Sequence, residues 1–207
     1  KVNRSLPEGV SAPDFYPMRA GVMAEFAKII CISIAYFNKE TTLHMRVKSF
    51  YGHDEKKILT DFLTTINKIE SLNSKWCFAG HNIKEFDIPF ICRRLIINQV
   101  KIPAYLDFQN MKPWETNIVD TFQYWRFGDY KNYTSLKLLA AVMGIPSPKD
   151  DIDGSMVGEL YWSETDREAN LKRIAVYCQK DVITTGNIML RFRNMPLVHP
   201  DDIKIVE

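Results

Sequence analysis

The most constraining feature of the chain is the run Ile29-Ile-Cys-Ile-Ser-Ile-Ala-Tyr-Phe37, apolar at consecutive positions except Ser33. It is about half as long as the roughly 20 residues a membrane helix needs. Continuous rather than alternating apolarity belongs to a strand buried on both faces, here read from Phe26 to Phe37. Asn38-Lys-Glu-Thr41 then link it to Leu43–Tyr51, where Leu43, Met45, Val47 and Ser49 fall on one face and His44, Arg46, Lys48 and Phe50 on the other. That alternation predicts a more exposed strand nearer an edge, and the short link predicts a hairpin.

Downstream, the pattern turns to helices and short strands. Ile58, Leu59, Phe62, Leu63, Ile66, Ile69 and Leu72 recur at three- and four-residue spacing and predict an amphipathic helix over 54–72. Trp76–Gly80 and Ile118–Asp120 read as short strands, with a helix running to about Asn98 between them. Further helices are expected over about 135–143 and 166–193, the last opened by a capping box of Thr165 and Glu168. A hairpin followed by strand–helix alternation predicts an α/β domain with a mixed sheet. Residues 1–20, with Pro7, Gly9, Pro13 and Pro17, read as an arm or loop, 21–193 as the domain, and 194–207 as a C-terminal tail.

Composition is that of an ordinary globular chain: 207 residues, 46% apolar, 25% charged. No segment is long enough to span a membrane, and the first ten residues lack the apolar core of a secretory leader. Cys31, Cys77, Cys92 and Cys178 form no C-x-x-C pair, which predicts buried free thiols and a cytoplasmic, reducing environment. A net charge of +2 does not argue for nucleic acid, nor against a local phosphate-binding patch.

Two segments carry chemistry. Asn82-Ile-Lys-Glu-Phe-Asp87-Ile-Pro-Phe90 leaves a buried strand and opens a helix, with Pro89 tolerated in the first turn. This places Asp87 at the mouth of the sheet, where α/β folds bind ligands, either as a metal ligand or as a plain helix cap. In Tyr177-Cys-Gln-Lys-Asp181, Tyr177 and Asp181 share one helix face beside the apolar stripe. Alone, that spacing also fits a half-buried Tyr beside a solvated Asp. Asp120-Thr121 reads as a helix cap, and Arg93 and Arg94 as a solvated face or phosphate contacts. None of the four histidines is assigned to catalysis.

Together and in this order, the two segments resemble the second and third motifs of the DEDDy group of 3′→5′ exonucleases. The chain is similar, from about Arg19 to Phe192, to the predicted exonucleases related to the exonuclease domain of family-B DNA polymerases. The resemblance implies a ribonuclease-H-like mixed sheet flanked by helices. It implies two divalent ions, Mg²⁺ or Mn²⁺, about 3.5–4 Å apart around the terminal phosphodiester. Asp87 and Asp181 would be metal ligands, Tyr177 would orient the attacking water, and Asn82 and Phe86 would position the terminal nucleotide. The implied substrate is a nucleic acid 3′ end, DNA in preference to RNA, with 5′-mononucleotides as product.

The family's first motif, Asp-x-Glu on the opening strand, is on no strand of these residues; Asp166-Arg-Glu168 lies at the start of the last helix. The expectation is that the central opening strand is missing from the sheet and lies upstream. Two functions stay open: an active metal-dependent exonuclease, and a catalytically incomplete nuclease-like module that binds nucleic acid or a partner protein.

Overall fold

The computed structural model describes residues 9, 11, 19–39, 43–72, 75–112, 114–146 and 152–206. The hairpin forms as the spacing predicts. β1 (Cys31–Lys39) pairs antiparallel with β2 (Leu43–Tyr51), in a register running from Cys31 opposite Tyr51 to Lys39 opposite Leu43. β1 starts later than read, because residues 24–27 form turns ahead of it.

The burial of the two strands is the reverse of the expectation. β2 is the inner strand, with Met45 and Val47 fully buried, whereas every described side chain of β1 keeps some exposure. The cause lies at the far end of the chain. Ile203–Val206, expected to be part of a tail, form β5, which pairs parallel with β2 and covers its outer edge. Local alternation in β2 could not report this pairing, since the partner comes from about 160 residues away.

β3 (Phe78–Gly80) and β4 (Ile118–Asp120) pair parallel in a second, two-stranded sheet. Among the described residues no strand joins β1 to β3, so each has one unpaired edge. Both sheets nevertheless lie between the same helices. On one side α1 (Glu55–Leu72) and α2 (Asp87–Ile97) share an apolar cluster with Ile29, Phe50 and Ile118, against which Ile32 and Phe78 also pack. On the other side, one long helix, designated α6 (Arg167–Phe192), contacts β1, β2 and β3 alike. Among the described residues the sheet layer is thus mixed and split between β1 and β3.

Of two further short helices, only the cap of α3 (Thr121–Arg126) was read from the sequence and α5 (Val157–Trp162) was not; α4 (Leu136–Val142) lies where expected. The Thr165–Glu168 capping box does not form. Asp166 takes the cap position in a left-handed conformation, and Glu168 instead hydrogen-bonds His53. Among the cysteines, Cys31, Cys92 and Cys178 are partly buried thiols, but Cys77 is exposed, at the entrance to β3. No described helix is long and apolar enough to cross a membrane. Arg94 is neither solvated nor free for phosphate: it is buried against Glu55.

Candidate active site

β3 ends at Gly80, and the chain must turn at once to enter α2. No side chain fits at Gly80, since a Cβ there would lie 2.5 Å from the Cβ of Ile83. Asn82 then adopts a left-handed conformation (φ 61°), which Asn tolerates better than most residues. The turn is held from β4. The buried Asp120 carboxylate accepts from the backbone N–H of Asn82 (3.0 Å) and Lys84 (3.1 Å), while capping α3 through Phe122 and Gln123. The cap expected at Asp120 is therefore real, and the same carboxylate also shapes the loop across the sheet. His81 adds a second tie, from its ring nitrogens to Thr121 Oγ1 (3.0 Å) and the Thr134 carbonyl (2.8 Å). Burial lowers the His81 pKa, outweighing that carbonyl and the nearby Asp120, so the ring is neutral and Nε2 donates to Thr134.

Asp87 is the first residue of α2, not its cap; the cap position belongs to Phe86, whose side chain makes no capping bond. The plain-cap reading of Asp87 therefore fails. The residue has open surface, yet protein crowds its carboxyl. Lost hydration, opposed by its own backbone N–H and reinforced by the negative Asp120, raises its pKa to about 6. Phe86 beside it presents a ring that is 40% exposed and leans on Phe90 at 5.6 Å. Asn82 Oδ1 is buried without a hydrogen-bond partner among the described residues. An orphan acceptor of this kind costs roughly 1–3 kcal/mol and marks a place for a donor from outside.

Asp181 is half-buried on α6, one turn beyond Tyr177, whose hydroxyl reaches over Gly154. Asp181 and Asp87 share one neighbour, Cys178. Both lie close enough to Cys178 to help push its thiol pKa well above the usual range, after the hydrogen bond to Cys31 and burial. Asn82, Phe86 and Asp87 lie on or directly after one turn, closed by the Phe86 N–H to the Asn82 carbonyl. Sequence reasoning missed the role of Asp120 in building the turn and the hydrogen bond between the Cys31 and Cys178 thiols.

Carboxylate oxygens suit Mg²⁺ or Mn²⁺, and such ions need only one or two protein carboxylates when waters and phosphate complete the shell. Asp87 and Asp181 fit that requirement. Among the described residues, no group of three His, Cys, Asp or Glu side chains converges to hold an ion unaided.

A mixed sheet flanked by helices, with carboxylates gathered at the strand ends, is consistent with the ribonuclease-H-like exonuclease fold. The chain belongs to the family of predicted 3′–5′ exonucleases related to the exonuclease domain of PolB, whose family model matches residues 22–198. No curated protein matches the chain. The family carries an exonuclease assignment and with it a nucleic-acid substrate.

Proposed function

We propose that the chain is a metal-dependent 3′→5′ exonuclease that removes 5′-mononucleotides from single-stranded DNA 3′ ends. The observation that carries this reading is the unpaired Asn82 Oδ1, buried in the turn that leads into α2 and Asp87. It supplies an acceptor for a terminal 3′-hydroxyl at the point where the scissile phosphate would meet the carboxylates.

In this mechanism Asp87 and Asp181 would hold the divalent ions, which would supply stabilisation of the attacking and leaving oxygens of an in-line displacement. Phe86 stacks on or wedges under the last base, which any base satisfies. Tyr177 orients the attacking water from the neighbouring turn of α6. Asp120 acts as a positioning residue, keeping Asn82 and Asp87 in register through the backbone. The free thiols of all four cysteines fit a reducing, cytoplasmic setting.

A second reading is a nuclease-like module that binds nucleic acid or a protein without cutting. It is favoured by the lack of a third converging ligand among the described residues. Release of mononucleotides from a 5′-labelled single strand in Mn²⁺ separates the two. Activity in the parent chain that disappears in Asp181→Ala supports the exonuclease. Equal release by both proteins removes the assignment of Asp181, and no release by either leaves the binding module.

A further inference from the structure

Residues 121–134 carry six aromatic rings and not one aliphatic side chain. A stretch built for the core would mix Leu, Ile or Val with its rings. Phe122 is indeed buried, but the others are turned outward: Phe127 is 84% exposed, Tyr130 77% and Tyr133 66%. Phe127 is the sharpest case. It ends α3 in the left-handed conformation (φ 43°, ψ 36°), a place where Gly or Asn is usual. A bulky residue there costs on the order of 1–3 kcal/mol, and an exposed ring gains almost no burial in return. A strained backbone that holds an aromatic ring in water points to a ligand for the ring.

Cations are interleaved with the rings. The Arg126 guanidinium lies between the rings of Phe122 and Tyr130, 4.6 Å from each centroid, and Lys131 follows. The ring series is also joined to the candidate active site. Tyr133 packs on Phe122 (5.0 Å) and on His81 (6.5 Å), the residue next to Asn82. A pocket of about 60 Å³ beside Arg126 is too small for a base and admits a water or a phosphate oxygen.

We infer that the exposed rings of Phe127, Tyr130 and Tyr133, with Arg126 and Lys131, form a stacking platform for single-stranded DNA, taking the nucleotides 5′ of the one to be removed. The inference rests on the exonuclease reading and extends its substrate site from one nucleotide to several. Rings without aliphatic neighbours, alternating with cations, match bases alternating with phosphates. The platform is sequence-tolerant, since every base offers a π-face.

The test is fluorescence anisotropy of the full chain with 5′-labelled oligothymidylates of two and six nucleotides, in EDTA so that neither probe is hydrolysed. The longer probe is expected to bind the parent chain at least about tenfold more tightly, one stacked base being enough for that factor. Phe127→Gly relieves the left-handed strain and is expected to fold at least as well as the parent. It and Tyr130→Ser should each lose most of the length advantage while keeping the affinity for the dinucleotide. An undiminished length advantage in both variants overturns the platform. Equal affinity of the parent chain for both probes also overturns it, and points to a protein as the occupant of the rings. Mononucleotide release from the dinucleotide in Mn²⁺ reports on the exonuclease reading separately: if it persists while the length advantage is absent, only the platform falls.

Discussion

Arg94 grips the carboxylate of Glu55 from two sides, Nε to Oε1 at 2.8 Å and Nη2 to Oε2 at 2.5 Å, with both residues buried. The same carboxylate accepts from the Ile29 backbone N–H and from Asn98 Nδ2, and Arg94 Nη1 donates to the Ala24 carbonyl. One ion pair thus ties α1, α2 and the entrance to β1 together, and α2 is the helix that carries Asp87.

Removing one partner leaves the other charge buried and unmatched. Arg94→Ala is expected to lower the unfolding free energy by about 3–5 kcal/mol. Glu55→Gln together with Arg94→Met should cost much less, because no charge is left behind. Burial alone would raise the Glu55 pKa, but Arg94, the Ile29 N–H and Asn98 outweigh it and hold it below the usual value. A depressed carboxyl pKa stabilises the fold above the unfolded value of about 4.3 and loses that stabilisation as pH falls through the folded one. Urea titrations over this acid range should show a steeper stability loss in the parent chain than in Glu55→Gln.

Asp87 works in the opposite sense. With its folded pKa raised to about 6, the folded chain holds this proton more tightly than the unfolded chain does. Stability therefore declines as pH rises from about 4 to about 6, and the deficit persists above that. Metal-free Asp87→Asn should melt at or above the parent temperature at neutral pH, with the difference shrinking near pH 4. Mn²⁺ should raise the melting temperature of the parent only, through binding to the folded state. A melting temperature of Asp87→Asn that rises with Mn²⁺ as much as the parent's would remove Asp87 from the metal site.

Asp120→Asn tests the loop clamp. Oδ1 takes three of the four backbone donors and Oδ2 the fourth, from Lys84. An amide replaces one acceptor oxygen by a donor facing that N–H, at a cost of about 1–3 kcal/mol. The variant should stay folded while mononucleotide release falls, with KM rising as Asn82 loses its position. Unchanged kinetics would confine Asp120 to capping α3.

Gly80→Ala probes the turn itself. The new methyl group would meet Ile83 Cβ at 2.5 Å and Cδ1 at 2.7 Å, and a Cβ cannot swing away without its backbone. The expected loss is about 1–3 kcal/mol, typical of overpacking. Ile83→Ala should recover part of it, which a plain propensity effect at Gly80 would not predict.

The hairpin, α1, α2 and the long α6 were legible because their apolar spacing is local and strong. The positions of Asp87 at a helix start and Asp181 on a helix face were legible because each sits in a short local motif. α3 and α5 were not, since six-residue helices offer fewer than two turns of periodicity. The capping box failed for a related reason: His53, more than a hundred residues upstream, takes the Glu168 carboxylate that a local reading assigns to the helix end.

By itself the sequence determined the hairpin, the two short parallel strands and the helices with strong apolar spacing, and placed Asn82, Phe86 and Asp87 at the entrance to α2. Periodicity and turn chemistry act over a few residues, so a single chain displays them. Only the tertiary structure decided that β2 rather than β1 is the inner strand, that residues 203–206 complete the sheet, and that Arg94 is locked to Glu55. It also decided that Asp120 shapes the Asn82 turn and that Asp87 and Asp181 both neighbour Cys178. Each of these depends on contacts between segments distant in the chain, whose geometry is settled by how helices pack across the sheet, and no local pattern encodes that.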